Sequence, residues 1–278
     1  MRFINHSETY FERMDSSIAQ KDELLDWIPG GSVVELGPGS GWLTEHIAAL
    51  PQVTDVLALD ASAEAIEHLR DRFDGDPRVS FREAVLGEHT DPFGGKQFDA
   101  IVASSVFHEV YSFIGAEGLM LIASQIADAL KPGGRLIIRD GVAPAGCELP
   151  AKMELAPRLQ GLAERYAQEG PEGLRPTIVG NVAQGTRHQI AEMAFTITWG
   201  EESFPREVQE QYQVYDLVGG ELFYMAQGLE LLHSSSSIQS GYMEHLEDSP
   251  MSSQSGDGSW APWFPETNAI WVFEKPRD

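Results

Sequence analysis

Glu35-Leu36-Gly37-Pro38-Gly39-Ser40-Gly41 sets glycines at every second position behind a β-branched pair, Val33-Val34. Such a stretch reads as a buried strand that runs into a loop almost without side chains and then into a helix. A ligand can lie directly against the N–H groups of such a loop and against the positive end of the helix behind it. Asp60 closes a second apolar run, VTDVLALD, and Asp140 closes another, RLIIRD. Between them stands Ser104-Ser105-Val106-Phe107-His108-Glu109. His108 titrates near neutrality and can serve as a general base toward a hydroxyl; its plainer reading is a residue that caps the next turn and packs. Glu109 can orient that imidazole or bind a cation. Asp140 is either part of the same constellation or an ordinary turn carboxylate.

The elements that must position these residues follow from periodicity and punctuation. A helical pattern covers residues 7–28, with Ser7 as its N-cap, and ends at Pro29-Gly30-Gly31. Strands are expected at 32–36, 53–60, 79–85, 98–105 and 135–139. Helices are expected at 41–50, 63–73 (capped by Ser62) and 116–130. Residues 142–206, rich in Pro and Gly, break the alternation and read as an insertion carrying short helical pieces. A helix over 207–227, a sixth strand from Leu229, a Ser/Gly/Pro-rich loop at 248–265 and a last strand at 269–274 complete the chain. This alternation predicts a doubly wound, mostly parallel seven-stranded α/β sheet. Ligands of such sheets bind at the carboxyl ends of the strands, so Gly37, Asp60, Val85, Ser105 and Asp140 should share one rim. The expected organisation is an N-terminal helical cap at 1–30, a binding core at 31–141, an insertion or lid at 142–206 and the rest of the core sheet at 207–278.

The formal net charge is −24, from 43 acids and 19 bases over 278 residues, and no Lys/Arg cluster interrupts it. A surface this acidic repels phosphate backbones and anionic membranes, which argues against a nucleic-acid substrate. The lone cysteine, Cys147, cannot form an internal disulfide, and no Cys/His spacing suggests a metal site. The polar first residues do not form a signal peptide, and no apolar run reaches the length of a membrane span. A soluble, cytoplasmic protein is expected.

In order along the chain, these motifs resemble the class I S-adenosylmethionine-dependent methyltransferases. Glu35 to Gly41 resembles their motif I, and Asp60 matches the acid that ends their second strand. Phe98-Asp99-Ala100-Ile101-Val102 matches the entry to their fourth strand. Leu130-Lys131-Pro132-Gly133-Gly134 matches the turn before their fifth, and Gly228-Leu229-Glu230-Leu231-Leu232 the turn into their sixth. The resemblance covers 32–140 and 207–275 and implies a Rossmann-like fold that binds S-adenosylmethionine and releases S-adenosylhomocysteine. It implies that Gly37, Pro38, Gly39 and Gly41 let the backbone approach the methionine portion. Glu35 would fix the loop or reach the ammonium group. Asp60, beside Ala61, would accept both ribose hydroxyls, and backbone near Val85 would hold the adenine. The acid that many relatives carry at the position of Val85 is absent. Ser104 and Ser105 would line the methionine side, and Tyr10 and Phe11 would close over the cofactor. A nicotinamide-binding loop is the nearest rival, but its third glycine falls on Trp42.

The fourth strand lacks the N/D-P-P-Y/F signature by which related enzymes grip a planar amide or exocyclic amine. His108 fits the small-molecule members, with His108, Glu109 and Asp140 as the catalytic candidates and O-methylation favoured over N-methylation. Arg158, Arg165, Arg175, Arg187 and His188 are cationic candidates for an acidic acceptor, although charges on helix faces are more often simply solvated. Trp199, Tyr212 and Tyr215 can wall an apolar acceptor or belong to a core. Two alternatives stand beside a small-molecule acceptor: an RNA or protein carboxyl methyltransferase, and a non-catalytic cofactor-binding partner subunit.

Overall fold

The computed structural model describes residues 18–277. Ser7, Tyr10 and Phe11 lie outside the described residues. In chain order the elements are α1 (Ile18–Leu25), β1 (Gly31–Leu36), α2 (Trp42–Ala49), β2 (Val53–Asp60), α3 (Ala63–Arg72), β3 (Val79–Glu83), β4 (Phe98–Ser104), α4 (Phe107–Ile114), α5 (Ala116–Ala129) and β5 (Leu130–Gly141). There follow β6 (Pro150–Glu154), α6 (Pro157–Glu169), β7 (Thr177–Val179), β8 (Val182–Thr186), α7 (Arg187–Thr198), α8 (Gly200–Glu207), α9 (Leu217–Met225), β9 (Glu230–Ser237), α10 (Ser240–His245), β10 (Met251–Gln254), β11 (Trp260–Pro262) and β12 (Asn268–Glu274).

The chain divides into two compact units. The first draws on Met1–Asp140, Gly220–Ser235 and Ile270–Asp278. Its sheet has the seven strands that the sequence predicts, in the order β3-β2-β1-β4-β5-β12-β9, and every neighbouring pair from β3 to β5 is parallel. Val33, Val34 and Leu36 of β1 are wholly buried, as befits a central strand covered on both faces. Leu24, Val33, Leu43, Ile47, Val56, Val102 and Ile137 share one core cluster. The register levels the strand ends: Leu36 pairs with both Leu59 and Ala103, and Ser104 pairs with Arg139. Gly37, Asp60, Ser105 and Asp140 therefore follow their strands at one end of the sheet.

The second unit, Gly141–Gly219 with Ser236–Ala269, runs wider than the insertion expected at 142–206. It is built on a five-stranded sheet, β11-β10-β6-β8-β7, whose pairs are antiparallel. The loop expected at 248–265 instead supplies β10 and β11; Ser253 pairs with Ala151, far away in sequence. Met153, Leu159, Tyr166, Ile190, Met193 and Phe204 form its own core. The single helix expected over 207–227 is also corrected. α8 ends at Glu207 and α9 begins at Leu217. The backbone N–H groups of Tyr212 and Gln213 donate to the buried carboxylate of Glu192 at 2.5 and 3.0 Å, and Ala143 N donates to Tyr215 O at 2.8 Å. Those bonds satisfy the segment outside any helix.

Candidate functional site

The loop after β1 is shaped by backbone conformation. Gly37, Gly39 and Gly41 have φ of 64°, 53° and 82°, the left-handed region that side chains disfavour. Gly37 N donates to Leu59 O at 2.8 Å, and Gly41 N donates to Pro38 O at 2.9 Å. A Cβ at Gly37 would meet Val106 Cγ2 at 2.5 Å. The glycine is therefore required both by its φ and by close packing against the turn after β4.

Three carboxylates stand at this end of the sheet, each held differently. Glu35 is 2% exposed and accepts a hydrogen bond from the Thr44 hydroxyl of α2. Burial pushes its carboxyl up to about 7, against the pull of the Thr44 bond and the Lys21 charge and with a smaller push from Asp60. Asp60, closing β2, accepts from Ser62 N at 2.8 Å, and the backbone N–H groups of Gly39 and Ala61 also favour its charged form. Burial outweighs these bonds and raises its carboxyl above the ordinary value. Ser62 caps α3 as expected, accepting from Ala65 N at 3.2 Å. Val85, half-buried, lies just past β3, where Ala84 N donates to Asp60 O at 2.8 Å.

Asp140 is the third, and it is more than a turn carboxylate. Its Oδ2 accepts from Phe107 N at 2.8 Å and from His108 N at 3.3 Å, at the first turn of α4. The helix has no cap from its own N-terminal side chain, so Asp140 caps it from across the sheet. Its Oδ1 lies 2.6 Å from His108 Nδ1. Paired with a carboxylate oxygen, Nδ1 is the natural donor, and the bond holds the ring in one orientation. His108 and Asp140 are each 6% exposed. The sequence points to Glu109 as the group orienting His108; in the structure that carboxylate is Asp140, and Glu109 sits half-buried beside it in α4.

Two features of this rim escaped the sequence reading. Ser105 is the only non-glycine among the described residues with positive φ, at 59°. Arg139, 3% exposed, brackets it: Ser105 N donates to Arg139 O at 2.7 Å and Arg139 Nη1 donates to Ser105 Oγ at 3.2 Å. An arginine inside the apolar run RLIIRD was the available signal, since a buried guanidinium requires partners. The Ser104 hydroxyl oxygen is buried and has no hydrogen-bond partner among the described residues.

In the second unit the cationic candidates are engaged by their own surroundings. Arg158 pairs with Asp248 at 2.7 Å, and Arg165 with Glu169 and Glu201 at 3.1 and 3.2 Å. Arg175 Nε donates to Gly170 O at 2.6 Å; Arg187 Nε donates to Ser253 Oγ at 2.7 Å. His188 bonds Gln213 O through Nε2 at 3.1 Å, and burial lowers its pKa. Tyr212 is core, its hydroxyl donating to Glu207. No helix among the described residues is long and apolar enough to cross a membrane.

Residues 34–136 match the protein family described as "Methyltransferase domain". The chain is 41% identical over 63 residues to the ribosomal RNA small subunit methyltransferase A of Parasynechococcus marenigrum (strain WH8102), covering 23% of this chain and 20% of that protein. It is 30% identical over 120 residues to the protein-L-isoaspartate O-methyltransferase of Pyrococcus horikoshii, covering 43% of this chain and 48% of that one. The chain thus spans half or less of the length of the curated relatives it matches. Among solved structures, the S-adenosylmethionine-dependent methyltransferase from Mesorhizobium loti superposes with a TM-score of 0.56 at 14% identity, over 93% of this chain and 97% of that one. Motif order, sheet topology and these matches agree on a methyltransferase domain over residues 34–136, in a fold shared with an S-adenosylmethionine-dependent methyltransferase.

Proposed function

We propose that this protein transfers the methyl group of S-adenosylmethionine to a small-molecule acceptor, with a hydroxyl oxygen favoured over an amine nitrogen. The rim fits the cofactor on its own features. The left-handed glycine turn keeps the loop almost free of side chains, so a ligand can come close to its backbone. Asp60 offers carboxylate lone pairs toward a diol, and the Ser104 hydroxyl is a buried polar group that lacks a partner. By the family resemblance, Gly37, Pro38, Gly39 and Gly41 would lie along the methionine portion, Asp60 and Ala61 against the ribose, Val85 near the adenine, and Ser104 and Ser105 on the methionine side. Glu35 would hold the loop through Thr44 or reach the ammonium group. Tyr10 would contribute from the N-terminal segment.

Bound S-adenosylmethionine supplies an already activated methyl group, so this chain needs chiefly to align the acceptor and exclude water. The single observation that carries the preference for oxygen is the 2.6 Å contact between His108 Nδ1 and Asp140 Oδ1. It holds the ring in one orientation and favours the tautomer protonated at Nδ1, in which Nε2 would be the nitrogen that takes a hydroxyl proton. Glu109 would contribute charge beside it.

Methylation of RNA or of a protein carboxyl is the second reading. It is favoured by the names of the two curated relatives and opposed by the net charge of −24. A non-catalytic cofactor-binding partner subunit would bind S-adenosylmethionine without consuming it. The test is labelled-methyl transfer to a panel of phenols, aliphatic alcohols and amines. Phenols or alcohols should accept, and His108→Ala should lower kcat about 100-fold at neutral pH with cofactor affinity unchanged. Labelling only of amines, RNA or protein, or no turnover at all, would overturn the oxygen reading.

A further inference from the structure

We infer that Arg139 is a positioning residue that locks Ser105 in its left-handed conformation and so presets the β4–α4 turn for the cofactor. This inference rests on the proposed S-adenosylmethionine site. Two consecutive residues of β5 hold that turn by five hydrogen bonds. Arg139 contributes its carbonyl to Ser105 N and its Nη1 to Ser105 Oγ; Asp140 contributes the two backbone bonds to α4 and the bond to His108 Nδ1. Asp140 acts on the helix side of the turn. Arg139 acts on the strand side, where a β-carbon makes φ of 59° unfavourable. Strain of this kind persists only where surroundings over-determine it, and here they consist of a buried guanidinium and a backbone bond to one residue.

The consequence reaches the glycine loop. Val106 follows Ser105 and sits where a Cβ on Gly37 would collide at 2.5 Å, so the two loops are fitted to each other. If Ser105 relaxed to negative φ, Val106 would shift against Gly37, and the Ser104 hydroxyl would turn as well. Arg139 thus would act on the cofactor through Ser105 without touching it.

Glycine adopts positive φ without the cost, so a glycine at position 105 should make the clamp unnecessary. S-adenosylhomocysteine affinity of the full chain, read by calorimetry, tests this. Arg139→Met should weaken binding about five- to tenfold, the range expected for releasing one strained residue. Arg139→Met in a Ser105→Gly background should cost almost nothing relative to Ser105→Gly alone. Additive losses in the double variant would overturn the inference, because a guanidinium that merely supports the fold has no reason to be rescued by glycine at 105. Should Arg139→Met fail to fold, Ser105→Ala against Ser105→Gly decides: both lose the hydroxyl, so alanine must bind more weakly than glycine, and equal affinities overturn it. A parent that binds no S-adenosylhomocysteine would sink the cofactor reading and this inference together; a parent that binds, with additive variants, sinks only this one.

Discussion

Both units bury carboxylates, in opposite ways. In the first, Glu35, Asp60 and Asp140 follow or close parallel strands, where the sheet ends and loops begin. In the second, Glu192, Glu207 and Glu210 lie on α7, on α8 and just past it, and are at most 2% exposed. Glu192 accepts from the N–H groups of Tyr212 and Gln213, Glu207 from the Tyr212 hydroxyl, and Glu210 pairs with Arg206 at 3.1 Å. A carboxylate at a strand end can serve a ligand, because loops leave room beyond it. One enclosed among helices serves the fold. The same residue type is thus proposed for ligand binding in one unit and holds backbone and side-chain donors in the other.

The sharpest way to break this contrast is to remove one acid from each side. Glu192→Ala strands two backbone donors in a dry interior and should cost about 2–5 kcal/mol of stability, with the less disruptive Glu192→Gln costing less. Denaturant unfolding measures the loss. S-adenosylhomocysteine affinity at a temperature where the variant stays folded should be unchanged; a parallel drop in affinity would mean that Glu192 belongs to binding and that the contrast is false. Asp60→Ala should do the reverse. Affinity should weaken by about 1–3 kcal/mol, the range for losing a charged acceptor, while stability moves by less. Unchanged affinity in calorimetry would take Asp60 off the ribose.

The same contrast explains what could be read from the sequence. The first unit's strands are continuous apolar runs of β-branched residues ended by acids or glycines, so both topology and rim were legible at residue level. The glycine turn was legible because its φ values admit little else. The second unit's strands, such as PAKME, VAQGT and MSSQ, are only four or five residues long, too short for a period of two to stand out. Their partners lie up to a hundred residues away, and only tertiary pairing makes them strands. The break between α8 and α9 was hidden for a related reason. A helical pattern says nothing of a carboxylate on α7 that captures two N–H groups of the segment. At the rim, sequence brought His108 and Asp140 to one end of the sheet and offered Glu109 either to orient the ring or to bind a cation; it did not pair His108 with Asp140. Adjacency in sequence is a poor guide here, because residues i and i+1 of a helix do not face each other, whereas a strand end across the sheet can.

Glu35 gives the smallest effect and the finest test of where the rim's chemistry stops. Its carboxyl is raised from 4.5 to about 7 in the folded protein. Between those values the folded state holds the proton and the unfolded chain does not, so stability declines as pH rises through this window. The decline due to Glu35 should be about 1 kcal/mol between roughly pH 6 and 7, and Glu35→Gln should flatten it. Parent and variant share the same histidines, so the difference between their stability–pH curves isolates this group. A ligand ammonium reaching Glu35 would favour the charged form and shrink the slope. If S-adenosylhomocysteine leaves the slope of its complex unaltered, Glu35 is confined to gripping α2 through Thr44. The ligand-serving acids of the first unit would then be Asp60 and Asp140 alone, and Glu35 would stand with Glu192 as an acid of the fold.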